Sequence, residues 1–181
     1  MFDGWTVSGI SQFASGPPAD ISFTVQGLGD AARNRIFTGS ETIAPRVVLT
    51  GNPNLSGGDR SIDQFIRTDV FALAPIGSVG LDSGARIVRR PGINNWDISI
   101  FKDIPYSSNN ESRYIQLRLE MFNAFNHTQF SDFNRTVQFD RNGNITNLPS
   151  SVGGGGGRFG FGAITAARDP RILQIAAKVY F

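Results

Sequence analysis

Polar and apolar side chains take strict turns along the chain between Arg113 and Met121, and this pattern constrains the fold more than any other. Every second residue from Ile115 to Met121 is apolar, and the residues between them are polar. A period of two is typical of a β-strand with one apolar and one polar face, because successive side chains point to opposite sides. The segment therefore predicts a strand rather than a helix.

Four other segments alternate in the same way, although less cleanly. The five predicted strands cover residues 5–13, 21–26, 95–103, 113–122 and 172–181. Turn-forming residues separate the segments, and no long helical pattern lies among them. The sequence therefore predicts an all-β fold in which the strands form an antiparallel meander.

The lengths of the connections decide between two kinds of all-β protein. Residues 14–20 and 105–110 are short turns, whereas residues 27–94 and 123–171 are long connections. A soluble antiparallel sandwich alternates in the same way, but a soluble domain rarely contains structureless loops of this length. Outer-membrane barrels combine short periplasmic turns with long extracellular loops. We therefore expect strands of a transmembrane β-barrel, with the soluble sandwich as the alternative.

In a barrel, one face of each strand meets lipid and the other meets the lumen. The expected lipid-facing residues are Trp96, Ile98, Ile100, Ile115, Leu117, Leu119 and Met121. The expected lumen-facing residues are Asp97, Gln116, Arg118, Glu120, Gln174 and Lys178. Aromatic residues near the strand ends suit the girdles at the membrane interfaces: Trp5, Phe13, Trp96, Tyr106, Tyr180 and Phe181.

Composition argues against several other classes of function. The 17 basic and 15 acidic residues leave a net charge of +2, which does not indicate a nucleic-acid-binding face. The chain has no Cys and one His, His127, so the sequence predicts no metal site and no cofactor. No recognisable catalytic set is visible either, so we expect no enzyme.

Three short patterns predict local structure inside the long connections. A capping-box pattern predicts a short helix over residues 61–67. The Asn142-Gly143 pair predicts a small hairpin over residues 139–145. Five consecutive glycines at residues 153–157 predict a mobile segment.

Several stretches resemble the C-terminal region of TonB-dependent transporters, specifically the Oar-like group. These stretches are Asn95-Trp96-Asp97-Ile98-Ser99-Ile100-Phe101-Lys102, Leu117-Arg118-Leu119-Glu120-Met121-Phe122-Asn123-Ala124-Phe125-Asn126-His127, Phe161-Gly162-Ala163-Ile164-Thr165 and Asp169-Pro170-Arg171-Ile172-Leu173-Gln174. Weaker matches lie upstream, around Gly4-Trp5-Thr6-Val7 and Ser15-Gly16-Pro17-Pro18.

This resemblance implies a Gram-negative outer-membrane barrel of about 22 strands with a plugged lumen. The five strands would then be its C-terminal part, contributing wall and extracellular loops for ligand uptake. The implied partners are outer-membrane lipid, the rest of the barrel with its plug domain, the TonB complex and the barrel assembly machinery. The alternative function is that of a soluble secreted β-domain that binds glycans or cell-surface partners.

The last strand carries a further expectation. Leu173, Ile175, Ala177, Val179 and Phe181 follow one another at steps of two up to the final residue. This arrangement resembles the final strand of outer-membrane barrels, which ends in an aromatic residue. The barrel assembly machinery recognises that strand by pairing with it. The five residues are therefore the expected assembly signal, and a plain edge strand is the alternative.

Overall fold

The computed structural model describes residues 3–78, 83–107 and 113–181. In these ranges the chain forms twelve strands, one α-helix and two short 3-10 turns. The elements are β1 (Trp5–Ala14), β2 (Pro18–Ala19), β3 (Ser22–Val25), α1 (Asp30–Thr38), β4 (Val48–Leu49), a 3-10 turn (Gly57–Asp59), β5 (Phe71–Ala72), β6 (Val88–Arg89), β7 (Ile93–Pro105), β8 (Tyr114–Phe122), β9 (Phe130–Phe133), β10 (Thr136–Phe139), a second 3-10 turn (Ser150–Val152), β11 (Ile164–Ala167) and β12 (Ile172–Tyr180). The fold is all-β in character, as the alternating pattern predicts.

Contacts divide the chain into two units. The first, which we call the wall unit, comprises Met1–Ser15, Gly92–Gln129 and Arg168–Phe181. The second, which we call the loop unit, comprises Gly16–Pro91 and Phe130–Ala167. The loop unit is therefore built entirely from the two long connections between wall strands.

The wall unit contains one antiparallel sheet with the strand order β1-β7-β8-β12. The register between β1 and β7 runs without a shift from Trp5 opposite Lys102 to Ala14 opposite Ile93. The pairings of β8 with β7 and with β12 are equally regular. β7 and β8 follow each other in the sequence and pair as antiparallel neighbours. The short turn predicted over residues 105–110 lies partly outside the described residues.

The prediction that residues 21–26 form a wall strand joined to the first by a short turn is wrong. The strand exists as β3, but it pairs in parallel with β10 inside the loop unit, and β1 pairs with β7 instead. Phe23 and Val25 from its apolar side are buried in the core of that unit. Alternation identified a strand with one buried face correctly, but it could not identify what covers that face. The first long connection accordingly begins at the end of β1 rather than at residue 27.

A hydrophobic core lies wholly within the loop unit. Rings meet edge to face in the pairs Phe23–Phe37, Phe23–Phe139 and Phe71–Phe161, with centroids 5.3–5.9 Å apart. Among the described residues, every buried hydrophobic side chain belongs to this unit. Such ring pairs add about 1 kcal/mol each beyond the area they bury, so the connections form a folded unit rather than two structureless loops.

Polar side chains complete the backbone pairing of the small sheets in the loop unit. The Asn147 side chain accepts a hydrogen bond from Gln138 N (2.8 Å) and donates one to Thr136 O (2.9 Å), as a neighbouring strand would. On β3, the Arg33 guanidinium donates to Phe23 O at 2.7 Å. These contacts satisfy strand edges that would otherwise leave buried backbone groups unpaired.

The predicted hairpin at residues 139–145 is present, since Phe139 and Ile145 form an antiparallel bridge. The Asp140 carboxylate accepts hydrogen bonds from the backbone N–H groups of Asn142 and Asn144 and from the Asn144 side chain. Those bonds, the Asn144 side chain first, hold the pKa of Asp140 below its ordinary value. Gly143 takes φ +86°, a conformation that a residue with a side chain rarely adopts.

The helix expected over residues 61–67 does not form. Ser61 Oγ does accept a hydrogen bond from Gln64 N at 3.0 Å, as a helix cap would. The chain then continues without a helix, because Phe65 N donates to Gly162 O and Arg67 N donates to Pro53 O. The helix of this unit is α1, which ends at Gly39 with φ +75°. No helix among the described residues is long and apolar enough to span a membrane.

The glycine-rich segment is packed closely against its neighbours rather than standing free as a flexible spacer. Gly154 N donates to Pro149 O and Gly156 N donates to Leu148 O. A Cβ added at Gly160 would lie 2.4 Å from Pro149 N and 2.6 Å from Asn147 O. Close backbone approach therefore requires glycine at Gly154, Gly156 and Gly160.

Replacing Gly160 with Ala should destabilise the loop unit by roughly 1–3 kcal/mol, because backbone atoms must shift to admit the methyl group. Limited proteolysis should then cut within residues 130–167 faster than in the parent protein. Gly58→Ala is the matched control, because an added Cβ there meets nothing within 4 Å. Equal cleavage of the two variants would contradict this account.

Candidate functional site: the two faces of the wall sheet

The register of the wall sheet sorts its side chains into two faces. Residues directly opposite each other on antiparallel strands project from the same side. Ile98 lies opposite Met121, Ile100 opposite Leu119, and Leu119 opposite Ile175. The apolar face therefore holds Trp5, Val7, Trp96, Ile98, Ile100, Ile115, Leu117, Leu119, Met121, Leu173, Ile175, Ala177 and Val179.

The other side of the sheet is the polar face. Ser99 lies opposite Glu120, and Asp103 lies opposite Gln116. This face holds Ser8, Gln12, Asp97, Ser99, Asp103, Gln116, Arg118, Glu120, Gln174 and Lys178. The structure thus brings the two sets of residues expected to face lipid and lumen onto opposite sides of one continuous sheet. Their assignment to lipid and to lumen remains a prediction.

The apolar face is left uncovered in the wall unit. Val7 is 69% exposed, Leu117 45% and Ile175 82%. Among the described residues of this unit, only Asn123 and Gln129 are buried, and both are polar. A soluble sandwich would bury such a face against a second sheet. Within the described part of the wall unit, no second sheet covers this face.

Two residues with unexpected polarity have local explanations. We call the end of the sheet where Pro105 pairs with Tyr114 the turn end, and the opposite end the loop end. Lys102 lies on the apolar face near the turn end. Its ammonium group is 5.3 Å from the Trp5 ring centroid and donates to the Asp3 carbonyl. Phe101 lies on the polar face beneath the Arg118 guanidinium, which is 5.0 Å from its ring centroid. A long cationic side chain that keeps its charge at the strand end is compatible with an apolar surface.

A chain of hydrogen bonds crosses the polar face of β7 and β8. Gln116 Nε2 donates to Asp103 Oδ1 at 2.8 Å, and Arg118 Nε donates to Gln116 Oε1 at 2.5 Å. The cation, the amide and the carboxylate therefore orient one another along the sheet. Such a network stabilises polar groups in an enclosed, partly hydrated lumen and would be costly in hydrocarbon.

The segment that follows β8, which we call the rim, is held to the sheet by hydrogen bonds. Asn123 and Asn126 both take φ +51°, which reverses the chain as it leaves the sheet. Asn123 N donates to Asp97 Oδ1 at 3.0 Å, and Ala124 N donates to Trp96 O at 2.7 Å. The rim is thus fastened to β7 by hydrogen bonds from two consecutive residues.

Gln129 ties the same rim to the start of β7, and the sequence alone did not single it out. Its Nε2 donates to Asn95 Oδ1 at 2.9 Å, and its Oε1 accepts from Asn94 N at 3.3 Å. Its carbonyl accepts from Arg168 N at 2.7 Å, so a third segment joins this point. A lone Gln in a polar stretch has no distinctive pattern, and only the register reveals its role.

Aromatic rings mark both ends of the apolar face. At the loop end, Trp96 meets Phe13 and Phe125 edge to face, with centroids 5.4 Å and 5.8 Å away. Trp5 marks the turn end, about 27 Å from Phe13 along β1 and about 21 Å along the axis at a tilt of ~40°, close to the ~25 Å apolar band of outer-membrane barrels. Tyr180, expected in a girdle, lies instead on the polar face opposite Tyr114.

Comparison with known protein families decides the class of this sheet. A model of the outer membrane beta barrel domain matches residues 1–174. The chain belongs to this family. It is accordingly an outer-membrane protein with an all-β barrel fold, associated with membrane lipid. No curated protein and no solved structure matches the chain.

Replacing Gln129 with Ala should loosen this rim, because it removes the hydrogen bonds to Asn94 N and Asn95 Oδ1 at a net cost of about 1 kcal/mol for each bond. Amide exchange of residues 94–97 should accelerate, while that of β12 should not change. Gln129→Glu keeps the acceptor for Asn94 N and should show a smaller effect. Gln12→Ala is the control, because it truncates a polar side chain on the polar face of β1. Equal effects of Gln129→Ala and Gln12→Ala would refute the anchoring role.

Proposed function

We propose that the chain supplies wall strands and extracellular loops to a TonB-dependent transporter of the Oar-like group. The observation that carries this proposal is the two-faced sheet whose apolar side is bare and whose polar side holds a hydrogen-bonded network. One side suits acyl chains, and the other suits an enclosed lumen that a polar plug can fill. The proposal gives the chain a transport role and no catalytic one.

The edges of the wall sheet support a larger closed barrel. β1 and β12 are the outermost strands, so each has one row of backbone groups without a partner strand in the sheet. In hydrocarbon every such N–H and C=O must be paired, and only closure provides this. Further strands of the same barrel are therefore the first partners that the proposal requires.

The connectivity supports an orientation in the membrane. Both long connections, from β1 to β7 and from β8 to β12, leave the sheet at the end where Ala14, Ile93, Phe122 and Ile172 lie. β7 ends and β8 begins at the opposite end of the sheet, where Pro105 pairs with Tyr114. In outer-membrane barrels the long loops are extracellular and the short turns are periplasmic.

The loop unit supports a role in ligand capture. Its aromatic core gives the connections a defined shape before any ligand arrives. A preformed surface loses less conformational freedom on binding than a flexible loop does, and so binds more tightly for the same contacts. We propose that this unit binds the transported ligand outside the cell.

The remaining partners belong to the transport cycle and to assembly. A plug domain would occupy the lumen against Arg118, Glu120 and the other polar-face residues, and TonB would act on the plug from the periplasm. The barrel assembly machinery would recognise β12 together with Phe181, which follows the strand and is 97% exposed. The resemblance of the Trp96–Lys102 and Leu117–His127 stretches to TonB-dependent transporters supports these partners.

A conductance measurement distinguishes this transporter from an open porin. The intact barrel, reconstituted in a planar bilayer in potassium chloride, should pass no steady current, because the plug blocks the lumen. A variant of the barrel without its plug should conduct, which shows that insertion succeeded. A large steady conductance of the unaltered barrel would contradict the proposal.

A further inference from the structure

The three tyrosines of the chain gather at the turn end of the wall sheet. Tyr114 and Tyr180 lie directly opposite each other on β8 and β12, and their rings stack with centroids 4.4 Å apart and planes inclined by 18°. The Tyr106 hydroxyl donates a hydrogen bond to Tyr180 O at 2.9 Å. Tyr106 N also donates to Arg113 O across the turn, which joins this residue to the β7–β8 hairpin. We call the three residues the tyrosine cluster.

The side-chain pattern determines the register of the strand that this cluster holds only weakly. β12 is an edge strand, and its polar face includes the apolar residues Ile172 and Ala176. A slip of one residue would exchange its two faces, which the pattern resists. A slip of two residues preserves both faces, so alternation cannot oppose it.

A two-residue slip does disrupt the tyrosine cluster. It would place Lys178 rather than Tyr180 opposite Tyr114, so the ring stack and the bond from Tyr106 would both be lost. It would also displace Phe181 by about 7 Å along the strand. Phe181 follows the last paired residue directly and is almost fully exposed, so its depth depends on this register.

We propose that the tyrosine cluster is a register lock for the C-terminal strand. Tyr106 and Tyr114 are positioning residues, and they hold Tyr180 so that Phe181 lies at one fixed depth. The consequence for assembly rests on the proposed function, in which Phe181 is part of the signal that the assembly machinery reads.

The absence of cysteine from the chain allows the register to be measured by disulfide cross-linking in the intact barrel. Cysteines at Ala177 and Leu117, which lie opposite each other, report the native register. Cysteines at Ala177 and Ile115 report the slip of two residues. Tyr106→Phe should raise the yield of the second pair about fivefold, the change expected from one net hydrogen bond. Adding Tyr114→Leu, which removes the ring stack, should raise it further.

Ser8→Ala is the matched control, because it deletes a hydroxyl from the polar face of β1, a strand that does not pair with β12. Both cross-linking yields should stay unchanged in this variant. Unchanged yields in both tyrosine variants would overturn the lock. Deleting Phe181 and measuring the folded barrel in outer-membrane fractions tests the assembly role separately. Shifted cross-links with undiminished barrel after the deletion would support the lock and refute the assembly role. Unshifted cross-links in the tyrosine variants, with less folded barrel after the deletion, would refute the lock and support the assembly role.

Discussion

Pairing of backbone N–H and C=O groups between strands is the interaction on which the rest of this structure depends. Inside a membrane no water is present to satisfy these groups, so strands must pair along their whole length and the sheet must close. The regular register of β1, β7, β8 and β12 in turn places most apolar side chains of the wall on one side. The exposed apolar face and the polar hydrogen-bond network on the opposite face both follow from this strand register.

The two units bury their side chains by different means. The loop unit packs its own aromatic core around Phe23, Phe139 and Phe161, as a water-soluble domain does. The wall unit has no comparable core in the part of the chain that the structure describes, and we expect the membrane to cover its apolar residues instead. One chain therefore combines a unit with its own hydrophobic core and a sheet whose apolar face is exposed.

The sequence predicted the wall strands well because alternation is strongest where one face must stay apolar along the whole strand, as in β8. It failed at β3, since Phe23 and Val25 alternate equally well but are buried in the core of the loop unit and belong to no wall strand. It failed at Ser61, where a local cap pattern formed its hydrogen bond while longer-range pairing of Phe65 with Gly162 prevented a helix. Gln129 and the tyrosine cluster were beyond its reach, because both depend on which strands become neighbours.

Reactivity of single cysteines along β8 tests the two-faced sheet most directly. Cysteines placed one at a time from Gln116 to Glu120 in the intact barrel would be treated in vesicles with a water-soluble maleimide, which needs the thiolate and so reacts poorly in an apolar setting. The positions of Gln116, Arg118 and Glu120 should react, and those of Leu117 and Leu119 should not. Equal reaction at all five positions would contradict the assignment of the apolar face to lipid.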